Sequence, residues 1–380
     1  MNLLLNYSKA IISDYKIKIQ CYFYRLLSKF KIYKYKNANI QFISEKQNWA
    51  IKRVGYKLNK EISNKNPLIF STSNKPYLMI NKLVHFGSQY MWLKWGKHLS
   101  KSNVFVTSFF HGKPSDGPEV ERHIDQFLSS QDQLSKVVTS CSIVNKRLIK
   151  LGFPSNKLIT IPIGVDTKLF TPSNLNIKSK IRKKLGIDED IFLIGSFQKD
   201  GIGWREGNLP KLIKGPDLFI DTLKSLKKTG INVGVLLTGP ARGFVKRGLE
   251  ENSIPYIHLF VKDKNQLVDL YRALDIYLIT SREEGGPMGL MESMASGVPV
   301  ISTKVGMAYD LIIDNKNGFL ANQISKEDIL EKINNFTNLK NSKKKEIILN
   351  AREKVLSCDW SIVAEKHMQL VYEPLIEELK

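Results

Sequence analysis

Short apolar runs recur along this chain at intervals long enough for a helix, and they do so in two series. "NIQFIS" (39–44), "PLIFST" (67–72), "VFVTSFF" (104–110), "KVVTSCS" (136–142) and "LITIPIG" (158–164) form the first. "DIFLIGSF" (190–197), "NVGVLLTGPA" (232–241), "PYIHLF" (255–260), "LDIYLITS" (274–281) and "VPVIST" (298–303) form the second. Between them lie helix-patterned stretches: "NWAIKRVGYKLNKEI" from Asn48, "DLFIDTLKSLKK" (217–228), "NQLVDLYRAL" (265–274) and the run after Met288. Strands separated by helical lengths imply crossover connections and hence parallel sheets. A chain of 380 residues is too long for one ordinary core. The expected fold class is therefore α/β, with two doubly wound domains in tandem and the first ending near "DTKLFTPS" (166–173). Ligands of such sheets sit outside the carboxyl ends of the strands.

Composition narrows the setting. The chain is 42% hydrophobic and 25% charged, which argues against disorder. It has no apolar run of the roughly 18 residues a spanning helix needs. "MNLLLNYSK" lacks the basic, apolar, small-residue order of a cleaved signal peptide. Cys21, Cys141 and Cys358 are scattered and without metal spacing. These features predict a soluble protein of a reducing compartment, most simply the cytoplasm. The formal charge of +22 favours phosphates, acidic glycans, anionic membranes or nucleic acid, without choosing among them.

Residues 1–36 differ from the rest. Lys9, Lys16, Lys18, Arg25, Lys29, Lys31, Lys34 and Lys36 stand against a single acid, Asp14. Ile19, Tyr22, Phe23, Leu26, Leu27, Phe30 and Tyr33 follow helical spacing and predict one apolar face, with Lys18, Arg25, Lys29 and Lys36 on the other. Such a helix suits the surface of an anionic bilayer, here the cytoplasmic face of the inner membrane. It equally suits a helix packed on its own domain with its lysines in water. "QYMWLKWGKHLSK" (89–101), where Trp92 and Trp95 alternate with lysines, reads as an interfacial membrane patch or acceptor surface, and equally as a half-buried helix with solvated lysines.

The stretch "TSREEGGPMGLMESMASGVPV" (280–300) carries the chemistry. A strand ending near Thr280 delivers Glu283 to Gly286 above the sheet. Pro287 is expected at the first helical position, where its missing N–H costs nothing. Gly285 and Gly286 let backbone approach a ligand, and the helix N-terminus behind them favours phosphate. Glu284 and Glu292 can accept hydrogen bonds from vicinal hydroxyls. Together these residues read as a binder of sugar, phosphate and sugar.

"EGGPMGLME", with its Glu-x7-Glu spacing, resembles the retaining, nucleotide-sugar-dependent glycosyltransferases of family 4, whose GT-B architecture sets two Rossmann-like domains facing a central cleft. "KG" at 214–215, "GPARG" at 239–243, "YRALDIYL" at 271–278, "GFLA" at 318–321, "HG" at 111–112 and "IPIGVDTKLF" at 161–170 resemble the family in its order. The resemblance implies that Glu284 contacts the donor hexose and Glu292 the ribose. It implies that backbone at Gly285, Gly286 and Met288 meets sugar or phosphate oxygens, and places Gly239 at the donor. Lys214 would neutralise the diphosphate with a second basic residue, Lys199, or Arg205 in reserve, because "FQKDGIGWREGNLPKLIKGP" is longer than usual. His111 would approach the reacting sugar. Gly285-Gly286-Pro287 replaces a common Gly-Phe-Gly and implies altered sugar preference.

The expected domains are a basic helical extension (1–36), an acceptor-binding domain (37–173), a nucleotide-sugar domain (174–358) and a C-terminal helix (359–380) crossing back to the first. "DED" at 188–190 precedes a strand and reads as a turn, so no essential metal and no cofactor beyond the nucleotide sugar is expected. The implied activity is hexose transfer to a glycan or lipid-linked acceptor in polysaccharide, lipopolysaccharide or glycolipid synthesis, with no specific nucleic acid. The alternatives are an epimerase on the same fold and a non-enzymatic basic binding protein.

Overall fold

The computed structural model describes residues 2–32 (backbone alone for 2–11), 38–46, 50–64, 69–261, 263–322 and 324–379. Tyr33, Lys34, Lys36, Asn48, Pro67, Leu68 and the side chain of Lys9, all used above, lie outside the described residues. The chain forms two compact units, Met1–Ser140 with Val144–Pro162 and Trp360–Lys380, and Cys141–Ile143 with Ile163–Asp359.

The first unit carries α1 (Asn2–Lys29), β1 (Ile40–Ile43), α2 (Ala50–Ser63), β2 (Phe70–Ser73), β3 (Leu83–Phe86), α3 (Gln89–Trp95), β4 (Val104–Phe109), α4 (Pro118–Leu128), β5 (Lys136–Thr139), α5 (Ser142–Lys150, whose first residues group with the second unit) and β6 (Leu158–Thr160). Its six strands are all parallel, in the order β2-β1-β3-β4-β5-β6. The second carries α6 (Leu175–Leu185), β7 (Phe192–Phe197), α7 (Pro216–Lys228), β8 (Val233–Thr238), α8 (Gly243–Glu251), β9 (Tyr256–Leu259), α9 (Lys264–Ala273), β10 (Ile276–Ile279), α10 (Met288–Ala295), β11 (Val300–Thr303), α11 (Gly306–Leu311), β12 (Phe319–Ala321), α12 (Lys326–Thr337) and α13 (Asn341–Leu356). Its sheet is also parallel, in the order β12-β11-β10-β7-β8-β9. The chain then returns to the first unit as α14 (Trp360–His367), a π-helical turn (Met368–Tyr372) and α15 (Glu373–Glu377). The doubly wound α/β architecture expected from the alternating pattern is present in both units.

Two strands were not legible as apolar runs. β3 sits centrally in its sheet but is only "LVHF", with Lys82 and His85 interrupting the pattern. β12 is three residues of the "GFLA" motif at a sheet edge. The division between units falls after Pro162, earlier than the 173/174 boundary expected. The cause is a set of bonds that tie residues 165–171 to the second unit. Val165 N donates to Cys358 O (2.9 Å), Arg272 to Thr171 O (3.1 Å), and Arg352 to Thr167 O and Phe170 O (2.7 and 2.6 Å).

α1 bears on the two readings left open for residues 1–36. The face that packs inward carries Asp14, Ile17 and Cys21, with Tyr24 against Tyr77 (centroids 5.3 Å apart). Asp14 pairs with Lys97 (2.9 Å) and His98 (2.8 Å), which hold its carboxyl below the usual carboxylate range. The aromatic face read from the sequence is not the packed one, since Ile19, Tyr22, Phe23 and Phe30 are exposed. Periodicity finds an apolar stripe but not which side the domain occupies. No helix among the described residues is long and apolar enough to cross a membrane.

The first unit's core holds a polar chain joining its sheet to the returning C-terminal segment. His85 on β3 bonds through Nδ1 to Tyr372 OH (2.7 Å) and through Nε2 to Ser108 Oγ (3.0 Å), and its ring stacks on His367. Burial pushes the Tyr372 phenol well up, so it keeps its proton and can donate to Nδ1 in the His85 tautomer whose Nε2–H donates to Ser108. Burial, and then the neighbouring His367, pushes the His85 pKa well below its ordinary value. Burial likewise lowers His367 to about 4, while its bond to Val363 O opposes the shift. Unfolded histidines bind protons near pH 6.5, whereas these two stay neutral while folded, so the unfolded state gains protons first as pH falls. Stability should therefore be full above about pH 6.5 and decline toward pH 4, by up to about 1.4 kcal/mol per pH unit per histidine. His367→Gln should flatten the decline in unfolding free energy measured across that window, and an unchanged slope would count against the assignment.

Candidate active site

In the second sheet β7 pairs with β8 on one side and β10 on the other, so the winding reverses between β7 and β10. A crevice opens at such a reversal, outside the strand carboxyl ends. The segments leaving those two strands are residues 198–215 and 280–287, which contain most of the sequence-expected site.

The two segments meet backbone to backbone. Gly215 has φ +63°, and a Cβ there would lie 1.9 Å from Thr280 O, so a side chain is excluded on both counts. Thr280 Oγ1 donates to Gly215 O (2.8 Å), and Arg282 N and Glu283 N both donate to Ile213 O (2.8 and 3.2 Å). Arg282 closes the join with a two-pronged pair to Asp217 at 2.8 and 2.6 Å. Pro216 then starts α7 at the first helical position, directly after Gly215. The close approach brings Lys214 Nζ to 2.5 Å from Glu284 Oε1, which also accepts from Ser281 Oγ at 3.0 Å. Glu284 is 8% exposed, and Lys214 remains partly open to solvent. Gly306, at φ +47°, seats the start of α11 against Glu284 and Gly285, and Met307 N donates to Gly285 O (3.2 Å).

The unusually long segment after β7 is resolved as a small hairpin. Lys211 N donates to Asp200 O (2.7 Å), Ile202 N to Leu209 O (2.9 Å), and Gly201 bridges Pro210. Folding the extra residues outward leaves Lys199 and Lys211 at the two feet of the hairpin. Its base is held by Arg242, which donates to Ser196 O (2.6 Å), Gln198 O and Thr238 O (both 3.0 Å) and pairs with Asp200 at 3.0 Å. Gly239 begins the turn that carries Arg242, and its backbone lies against Gln198 O. Arg205 is exposed at the hairpin tip, while Lys199 lies 4.2 Å over the Trp204 ring.

Lys211 is the residue sequence reasoning missed. Burial, then the charges of Lys214 and Lys199, lower its pKa, and Glu284 opposes the shift. Three ammonium groups thus share one neighbourhood with the Glu284 carboxylate, which leaves a positive surplus suited to an anion. In a chain with 58 basic residues nothing marked Lys211 out beforehand. Its only signal was its position three residues before Lys214.

On the far side of the loop, Pro287 is the N-cap of α10 (φ −66°, ψ 111°) and not its first helical residue. The N–H groups of Met288 and Gly289 therefore open the helix and have no intrahelical acceptor. Gly286 and Met288 are half-buried. Glu292 lies one turn inside α10 and accepts from Tyr271 OH at 2.8 Å. Burial, then Glu292 itself, raises the Tyr271 pKa well above its ordinary value, so the phenol keeps its proton and fixes the carboxylate. Tyr271 belongs to "YRALDIYL", which gives that motif a physical purpose. His111 lies in the first unit just after β4, with its carbonyl accepting from Gln89 Nε2 at 3.1 Å. "DED" forms the turn before β7, where Asp190 accepts from Asn232 (2.7 Å).

Residues 207–354, which include Lys211, Lys214, Gly239, Glu284 and Glu292, match the family model for glycosyl transferases group 1. The match lies wholly within the second unit. The chain is 31% identical over 156 residues to the lipopolysaccharide core biosynthesis mannosyltransferase LpsB of Rhizobium meliloti, covering 39% of this chain and 41% of that protein. It is 22% identical over 254 residues to the capsular polysaccharide biosynthesis glycosyltransferase CapM of Staphylococcus aureus, covering 66% and 61%. The chain thus spans about half the length of the curated relatives it matches. Among solved structures, HepE of Anabaena in complex with UDP and glucose superposes with a TM-score of 0.70 at 17% identity, over 88% of this chain and 99% of HepE. Sucrose-phosphate synthase of Thermosynechococcus elongatus gives 0.71 at 14% identity, over 90% of this chain and all (100%) of that one. At these identities the likeness establishes the fold, and it is the two-domain GT-B fold that the motifs of the glycosyltransferase domain implied.

Two measurements probe this geometry. Gly215→Ala should lower unfolding free energy by about 1–3 kcal/mol, through the left-handed backbone and the contact with Thr280. Lys211→Met should weaken nucleoside diphosphate binding about 10- to 100-fold, the loss expected for one charge-assisted hydrogen bond. The same change should leave stability equal or higher, because folding disfavours that charge; lowered stability with unchanged binding would contradict the assignment.

Proposed function

We propose that the chain is a family 4-like, retaining hexosyltransferase that moves a sugar from a nucleoside diphosphate donor to an acceptor hydroxyl. The observation that carries this reading is the Lys214–Glu284 pair, with Lys211 and Lys199, at the reversal point of the second sheet. As the glycosidic bond breaks, negative charge grows on the departing diphosphate and the sugar ring becomes cation-like. Lysines already held in place stabilise that charge without reorganising at the moment of reaction, an effect for which a single removed donor costs about 100- to 1,000-fold in turnover. They can neutralise the diphosphate themselves, so no essential metal is assigned. Glu284, turned from Lys214 toward the donor, accepts from hexose hydroxyls, and Glu292, fixed by Tyr271, accepts from the ribose. For His111, the resemblance of "HG" at 111–112 to the family supports a role at the reacting sugar.

HepE, solved with UDP-glucose, supports a uridine or related diphosphate donor on this fold. LpsB and CapM support a glycan acceptor in envelope polysaccharide synthesis. The basic surplus supports an anionic or lipid-linked one, met at the cytoplasmic face of the membrane. A thermal-shift panel of nucleoside diphosphates and their sugars tests the donor site, since a ligand at 100 times its Kd adds about 2.7 kcal/mol. One base should raise the Tm selectively, and Lys214→Met should abolish the rise. His111→Ala should lower turnover with donor affinity unchanged. No shift with any donor would refute the reading, and an isomerised donor formed without acceptor would replace it with epimerisation.

A further inference from the structure

Among the described side chains of α1, the buried ones, Ile17 and Cys21, lie on one side of the helix. With about 100° between successive residues, Asp14, Ile17 and Cys21 share the inward side. Ile12, Tyr15, Ile19, Tyr22 and Phe23 share the opposite one, and Phe30 prolongs it just past the last helical residue, its N–H still bonded to Leu26 O at 3.0 Å. These six side chains are between 54% and 69% exposed, which is unusual for large apolar groups arranged in one continuous row. Along one edge of the row stand Lys18, Arg25 and Lys29, all exposed, at i, i+7 and i+11 and so on one side of the helix.

The charge pattern selects the occupant. The sole acid of residues 1–36 is Asp14, and it is turned to the inward side and engaged by Lys97 and His98. No carboxylate from this segment therefore faces outward to repel an anionic surface. Isoleucine, tyrosine and phenylalanine beside a ridge of cations match the boundary between lipid headgroups and acyl chains, where aromatic rings and lysines both settle. A protein groove would accommodate the apolar row but would gain nothing from three long cationic side chains along its edge.

We infer that the outward side of α1 lies in the headgroup region of an anionic bilayer, with Ile12, Tyr15, Ile19, Tyr22, Phe23 and Phe30 inserted and Lys18, Arg25 and Lys29 on the phosphates. This deepens the membrane part of the function proposed above, and it stands independently of the donor chemistry. The test is flotation of the full chain with vesicles of phosphatidylglycerol and phosphatidylcholine, against phosphatidylcholine alone. The full chain should float with the anionic vesicles only, and less in high salt. Ile19→Ser with Tyr22→Ser and Phe23→Ser should reduce partitioning at least about 10-fold, through the apolar area withdrawn from the bilayer. Lys18→Glu with Arg25→Glu and Lys29→Glu should reduce it about 100-fold or more, near a factor of five per charge. All six positions are exposed, so the variants should keep the parent Tm and the donor-induced thermal shift. Failure of the full chain to float, or flotation undiminished in the serine variant, would overturn the inference. Dimerisation in vesicle-free solution that the serine changes abolish would also overturn it, by assigning the row to a second copy of this chain.

Discussion

The second unit is organised by the position of one strand. β7 is hydrogen-bonded to β8 on one side and β10 on the other, so the segments leaving β7 and β10 must diverge from a shared edge. Every charged group of the candidate donor site on these segments is placed by that divergence and by the backbone contact of Gly215 with Thr280 that draws them together again. The sheet supplies the gap, and the glycine sets its width. Without the contact, Lys214 and Glu284 are two charged side chains on separate loops; with it, they become a preformed ion pair.

Such a site works against folding. Lys211 is half-desolvated beside two other ammonium groups, and Arg242 and Asp200 form a buried pair whose burial disfavours both charges. Buried pairs of this kind seldom add much stability over apolar packing, and their clearest use is to fix geometry. Here the guanidinium gathers three carbonyls and a carboxylate at the root of a hairpin, and so holds its base together. The hairpin itself stands outward, with Ile202, Trp204 and Leu209 exposed on it.

Much of this was legible in the sequence because it rests on local chemistry. Apolar runs bounded by turns gave ten of the twelve strands; β3 and β12 escaped because a histidine and a three-residue length erase the pattern that buried strands normally show. The Glu-x7-Glu loop, the Lys-Gly dipeptide and the glycine of "GPARG" were visible as motifs, and the geometry shows what each does to the backbone. What escaped was relational. Lys211 becomes part of a cluster only when a hairpin closes, Tyr271 explains Glu292 only across two helices, and the packed side of α1 depends on where Lys97 and His98 lie. A helical repeat reports that an apolar stripe exists; only tertiary partners decide whether it turns inward.

The return of residues 360–377 to the first unit sets an order on how this chain can mature. His85 meets Tyr372 across 287 positions of sequence, so on the first sheet its Nε2 can meet Ser108 early, while its Nδ1 waits for Tyr372 to be synthesised. The second unit, by contrast, is continuous but for Cys141–Ile143 and can close its core as soon as Asp359 has left the ribosome. A chain halted after Asp359 would therefore carry a closed second unit tethered to a first sheet still lacking residues 360–377, with apolar surface open to chaperones.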